Sequence, residues 1–176
     1  MYTEAQFVFS MADDADSNCA MAYWGNAMVM IHPLWGDALS AEDYNHGLEL
    51  TQRAQSIEGT SDREQDYFRT TEAFYKESAD LNMKNGFVKM AAVWEDISRK
   101  RPDDMDAKAF EALFKIAISK NDQDRLEAGL LALDVLKTMP NHPGGHHYVI
   151  HAFDTATLAE RALETADHYG QITPRV

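Results

Sequence analysis

Four of the seven histidines in the chain fall within ten residues, His142, His146, His147 and His151, and this is where chemistry would be sought first. Pro143 is suited to a first helical position, so the stretch 143–153 predicts a helix. On it His147 and His151 stand four apart and Asp154 three further on, which places all three on one face. Two neutral imidazoles and a carboxylate suit zinc or another non-haem divalent ion with a position left for water or substrate. His142 would be a fourth ligand, with His146 or the distant His32 assisting. Tyr148 stands where the zinc-protease helix motif needs a glutamate base, so that chemistry is not expected, although its phenol can donate a proton. The competing reading is structural: an imidazole offers one donor and one acceptor to a polar seam between helices, and Asp154 orients His151 or caps a helix.

A second candidate is His32-Pro33-Leu34-Trp35, which with Trp24 and Tyr148 predicts an aromatic binding surface. Alternatively, the proline stiffens a connection and the tryptophans are core. His46 and His168 are isolated and read as helix-surface residues. Cys19 reads as a buried, inert thiol without a basic neighbour. Arg63-Glu64 is explained by capping, Gly144-Gly145 lacks the lysine and spacing of a phosphate loop, and Asp13, Asp14 and Asp16 lack the glycine and glutamate of a calcium loop.

The elements that must position these residues are helical. Apolar spacing of three and four dominates, and alternation suited to a strand is hard to find. Helices are predicted over Ala5–Met11, Asn18–Met30 and about 40–58, where Tyr44, Leu48, Ala54 and Ile57 share a side and Gly59 supplies a left-handed end. Ser61-Asp62-Arg63-Glu64 has the form of a capping box and opens a helix through Tyr67, Thr71, Phe74, Ser78 and Leu81, with Gly86 at its limit or a kink. Phe87, Met90, Ala91, Trp94 and Ile97 make the next stripe, closed by Arg99-Lys100-Arg101 and Pro102. Asp103 and Asp104 cap a helix with Ala107, Phe110, Leu113, Phe114 and Ala117 inside. Asn121 caps one with Leu126, Leu130, Leu133 and Leu136 inside, and Leu158–Tyr169 is the last, before Pro174. Ala20-x-x-Tyr23, Ala107-x-x-Phe110 and Gly145-x-x-Tyr148 repeat a small residue three before an aromatic. The last two are spaced slightly wider than the tetratricopeptide period of about 34 residues.

Composition bounds the partners. The chain has 176 residues, with 16 Lys+Arg against 29 Asp+Glu for a formal charge of −13. That field repels nucleic acid and anionic lipid and favours a basic protein or peptide. No run approaches the roughly 18–20 apolar residues that span a bilayer, and the start lacks a basic, apolar leader, which predicts a cytoplasmic protein. The single cysteine cannot form an internal disulfide.

In order along the chain, Ala20-Met21-Ala22-Tyr23-Trp24-Gly25-Asn26-Ala27-Met28, His32-Pro33-Leu34-Trp35, Ser61-Asp62-Arg63-Glu64 and the stretch Pro140–Asp154 resemble bacterial tetratricopeptide-repeat-like proteins of largely uncharacterised role. The resemblance runs nearly end to end, with the histidine-rich stretch its most specific part. It implies an all-α, right-handed superhelix of antiparallel helix pairs over 1–176, a fold that presents a concave surface to a protein or peptide. His142, His147, His151 and Asp154 match the family pattern, whereas His146 stands where relatives generally carry another residue. Similar members continue beyond Pro174-Arg175-Val176, so the chain looks like their N-terminal part. Terminal faces left open in a short array can be covered by a second copy, giving a homodimer. The leading expectation is therefore a binding scaffold without a resident cofactor, and the alternative is a metal-binding protein or metal-dependent enzyme centred on His147, His151 and Asp154.

Overall fold

The structure, a computed structural model, describes residues 2–35, 38–79 and 81–173. Among them the regular elements are helices and no strand occurs. The order is α1 (Tyr2–Ala15), α2 (Ala20–Val29), α3 (Ala41–Ser56), α4 (Asp62–Glu77), α5 (Met83–Lys100), α6 (Met105–Ala117), α7 (Asp122–Thr138), α8 (Pro143–Phe153), a short 3-10 segment (Ala159–Ala162) and α9 (Leu163–Ile172). The stop expected at Pro174 lies outside the described residues. The chain divides into two compact units, Met1–Val93 and Trp94–Val176, and α5 contributes to each. No described helix is long and apolar enough to cross a membrane.

Local chemistry sets the helix starts. Ser40, Ser61, Asp104 and Asn121 each accept a bond from the backbone amide three residues on, and Glu64 returns a carboxylate to the Ser61 amide, completing the capping box. Gly59 takes a φ of 81°, the left-handed turn expected after α3. Cys19 differs from expectation: it precedes α2 as a partly exposed N-cap residue and does not lie within a buried helix.

Within the N-terminal unit α1 packs on α2, α2 on α3 and α3 on α4, and α2 also reaches α4. Within the C-terminal unit the same pattern recurs among α6, α7 and α8, and α8 also holds α9. Within α1–α4 and within α6–α9 each helix thus meets its neighbour in sequence and, at α2–α4 and α6–α8, the next but one. Such packing is what stacked hairpins produce. The α5 stripe Phe87, Met90, Ala91, Trp94 and Ile97 is buried as the spacing predicts.

Two other stripes are displaced. On α3 the buried line is Gly47, Thr51 and Ala54, while Tyr44 and Leu48 flank it half-buried. On α7 it is Ala128, Gly129, Ala132 and Val135, while Leu130 stays 50% exposed. Small residues line these seams because aromatic rings from the partner helix occupy the space a side chain would need: Tyr75 of α4 lies over Gly47, and Phe153 of α8 over Gly129. Gly86 also differs from expectation. It neither ends α4 nor marks a break but sits in the first turns of α5, where a Cβ would meet Ser78 and Phe74. The helix α4 ends at Glu77, so Leu81 lies beyond it, exposed and with a φ of 62°. On α1 no residue is fully buried, and Phe7, Val8 and Met11 face outward.

Candidate functional site

The helix α8 spans the limits that Pro143 predicts, and its histidines take four different roles. His142 is the N-cap: its Nδ1 accepts the Gly145 amide at 2.9 Å. An accepting Nδ1 leaves the ring proton on Nε2, which lies 3.2 Å from Asp106 Oδ1 and donates to it. Both ring nitrogens of His142 are thereby engaged in fastening the start of α8 to the first turn of α6.

His147 and His151 are half-buried and stack, with ring centroids 4.7 Å apart and planes 22° apart. Stacked rings present faces to each other, whereas a shared ion needs converging lone pairs. His147 Nδ1 lies 3.2 Å from the Tyr169 hydroxyl of α9. Arg125 of α7 donates to the His151 carbonyl at 2.8 Å. Asp154 is not carried on the helical face as the spacing predicts, because α8 stops at Phe153 and Asp154 is its exposed C-cap. Among the described residues no three His, Cys, Asp or Glu side chains are grouped so that they can hold one metal ion. The set His142, His147, His151 and Asp154 is therefore spread along α8 from its N-cap to its C-cap and is not brought to one point.

Burial, and after it the neighbouring His151, lowers the pKa of His147. His151 is also lowered by burial, with Arg125 lowering it further and Asp154 opposing. Folding thus favours neutral imidazoles, and the stability they contribute is present above the ordinary histidine value of about 6.5 and is lost as pH falls through the depressed folded values. The carboxylates Glu64, Glu72 and Asp134, held low chiefly by hydrogen bonds from Ser61, Lys76 and Lys108, titrate in a lower window. The melting temperature followed by circular dichroism is expected to fall as pH drops from about 6.5 to about 5, and less steeply in the His147→Gln/His151→Gln variant. Equal slopes for the two proteins would place that titration elsewhere.

Of the residues expected to form an aromatic surface, Trp24, His32, Trp35 and Tyr148, the first three belong to the N-terminal unit and differ in setting. Trp24 is core: it is 6% exposed, tilts against Tyr67 at 5.3 Å and points its Nε1 at Thr70 Oγ1, 3.5 Å away. His32 lies tilted against Tyr2, with centroids 4.0 Å and planes 37° apart, and lines a groove of about 270 Å³ with Gln6, Leu39 and Asp43. Trp35 remains exposed. Tyr148 belongs to the other unit and packs half-buried on Met105, Ala109 and Val135.

His146 and His168 form a pair that spacing along the chain does not reveal. His146 is 5% exposed, and its Nε2 donates to the Pro140 carbonyl at 2.8 Å. Its Nδ1 is buried with no hydrogen-bond partner. His168 of α9, read from the sequence as isolated, lies against it with centroids 4.8 Å apart and directs Nε2 to Asn141 Oδ1 at 3.0 Å. Both rings line a groove of about 660 Å³ that Leu133, Leu136 and Lys137 of α7 and Glu164, Asp167 and Gln171 of α9 complete. A sequence signal did exist, since Glu164, His168 and Gln171 recur at helical spacing on α9.

No family model matches the chain, and no curated protein or solved structure matches it either.

Proposed function

We propose that the chain is a binding scaffold of the tetratricopeptide-like, right-handed helical-repeat kind, which holds a protein or peptide partner rather than transforming a substrate. The observation that carries this reading is the open groove of about 660 Å³ between α7 and α9, with leucines on one wall and carboxylates on the other. Grooves between stacked helices are a common seat for peptides, where apolar anchors supply affinity and charge sets the choice of partner. Stacked hairpins in each unit support the same reading. The chemistry-bearing histidines support it too: His142 is engaged at both nitrogens as a cap, and His147 stacks on His151 and meets Tyr169.

A formal charge of −13 makes a basic partner the expected one, and part of the attraction long-range. In fluorescence anisotropy, a mixed-sequence pool of labelled basic peptides is expected to bind and an acidic pool of the same length is not. Affinity for the basic pool is expected to weaken as salt rises from about 0.05 to 0.5 M, because screening shortens the reach of exposed charges to a few ångströms. Binding of neither pool, or binding indifferent to both charge and salt, would overturn the proposal.

A further inference from the structure

The α9 side of the groove between α7 and α9 carries groups that accept hydrogen bonds, Glu164, Thr165, Asp167 and Gln171. Glu164 and Asp167 are exposed carboxylates on its α9 side. Lys137 is a cation among its lining residues; it lies 3.3 Å from Asp134, a carboxylate it shares with Lys108 at 2.8 Å, so the two carboxylates of α9 outnumber it in the groove. His146 adds an independent signal. Donation of its Nε2–H to Pro140 leaves Nδ1 as a lone pair, and this acceptor is buried without a partner. An acceptor withdrawn from water and left unbonded destabilises the fold, so a group that supplies a donor there recovers free energy on binding.

Leu133 and Leu136 of α7, with Pro140, supply the apolar part of the lining. The complement of such a site is a cation carried on an apolar stem. A lysine ammonium is a compact, strongly hydrated point charge, whereas a guanidinium is planar, less hydrated and offers five donors in a fixed fork. Acceptors carried by two elements, the α9 carboxylates and His146 Nδ1 of α8, suit the fork. Its methylene stem can lie along the leucines while the head stays among the carboxylates.

We propose that this groove binds the arginine side chain of a peptide partner, with Glu164 and Asp167 facing the guanidinium, Leu133 and Leu136 facing its stem and an adjacent apolar residue, and His146 Nδ1 accepting a donor at the floor. The ring of His168 covers His146 and moves aside to admit it. This rests on the reading of the chain as a peptide-binding scaffold.

The probes are three acetylated, amidated pentapeptides, Ala-Leu-X-Leu-Ala, with arginine, lysine or the neutral arginine isostere citrulline at X. Each is titrated calorimetrically into the full chain, and the ring-proton resonances of His146 and His168 are followed by NMR. The arginine peptide is expected to bind best and to shift both histidines. The Glu164→Gln/Asp167→Asn variant, altered only at exposed positions, is expected to lose about five- to tenfold in affinity for the arginine peptide and little for the citrulline peptide. Equal affinity for the lysine peptide, equal affinity for the citrulline peptide, or an unchanged Glu164→Gln/Asp167→Asn variant would each overturn the assignment. If these arise while the basic pool still binds, the scaffold reading stands and the groove is not its arginine site. If the basic pool fails as well, both readings fall together.

Discussion

Replacing Phe153 with alanine is expected to destabilise the C-terminal unit by about 3–5 kcal/mol, the range typical of a buried phenylalanine whose cavity cannot collapse. The ring is 1% exposed at the end of α8 and fills the space above Gly129 of α7, between helices that pack along much of their length. The same contact makes a second, sign-changing prediction about its partner. A Cβ built on Gly129 would overlap Cε1 and Cζ of Phe153, and a ring so buried has nowhere to turn. Gly129→Ala is therefore expected to destabilise, because overpacking costs about 1–3 kcal/mol and exceeds the helix-propensity gain of about 1 kcal/mol. In the Phe153→Ala background the clash is gone and only the propensity gain remains, so Gly129→Ala is expected to stabilise by up to about 1 kcal/mol. Urea denaturation of the four proteins measures the cycle. Additive single effects would mean that the glycine and the ring are not in contact.

That contact also shows what the sequence leaves legible. Helix starts follow from chemistry within three or four residues, and so Ser61, Asn121 and Pro143 announce them: the span 143–153 read from Pro143 is the span of α8. The α5 stripe is legible because its buried side is also its large apolar side. Where one helix seats the aromatic of another, the rule inverts. The residue at closest approach must be small, and glycine or alanine carries little hydropathy, so on α7 the leucines mark the flank of the seam and not its middle. Leu133 and Leu136 consequently end in the groove wall.

The candidate site divides along the same line. Spacing correctly gathers four histidines at the start and along the length of α8. It cannot tell that His142 is consumed by a cap, that the helix stops one residue before Asp154, or that His147 and His151 present their faces to each other. The pairing of His146 with His168 joins positions on two different helices, and its recognition needs the packing of α9 on α8. Trp24 fails as a ligand surface for a related reason. A tryptophan satisfies the same local pattern whether its ring closes a pocket or fills the core, and here its Nε1 points at buried Thr70.

In the N-terminal unit, raising the pH above about 10 is expected to destabilise the fold through Tyr75. This α4 side chain is fully buried, lies over Gly47 of α3 and donates its hydroxyl proton to the Ala27 carbonyl of α2 at 2.7 Å. Ala27 belongs to the last turn of α2, where carbonyls lack a partner within the helix, so one phenol caps one helix while its ring spaces another. Burial, with the charge of Asp43 adding to it, pushes the Tyr75 pKa far above its ordinary value. The sign follows from which form the fold prefers. The neutral phenol is favoured when folded, so its contribution is complete below the unfolded value of about 10 and declines as pH rises toward the folded one. At neutral pH, Tyr75→Phe is expected to cost about 1–3 kcal/mol, since the Ala27 carbonyl is left buried without its donor. The variant has no proton to lose at this position, so its stability should decline less steeply in alkali and the two curves should converge. Denaturation midpoints measured from neutral to alkaline pH test this, alongside phenolate absorbance, which should show one tyrosine ionising only as the wild-type chain unfolds. Parallel curves would mean that the phenol of Tyr75 is not what the N-terminal unit loses to base.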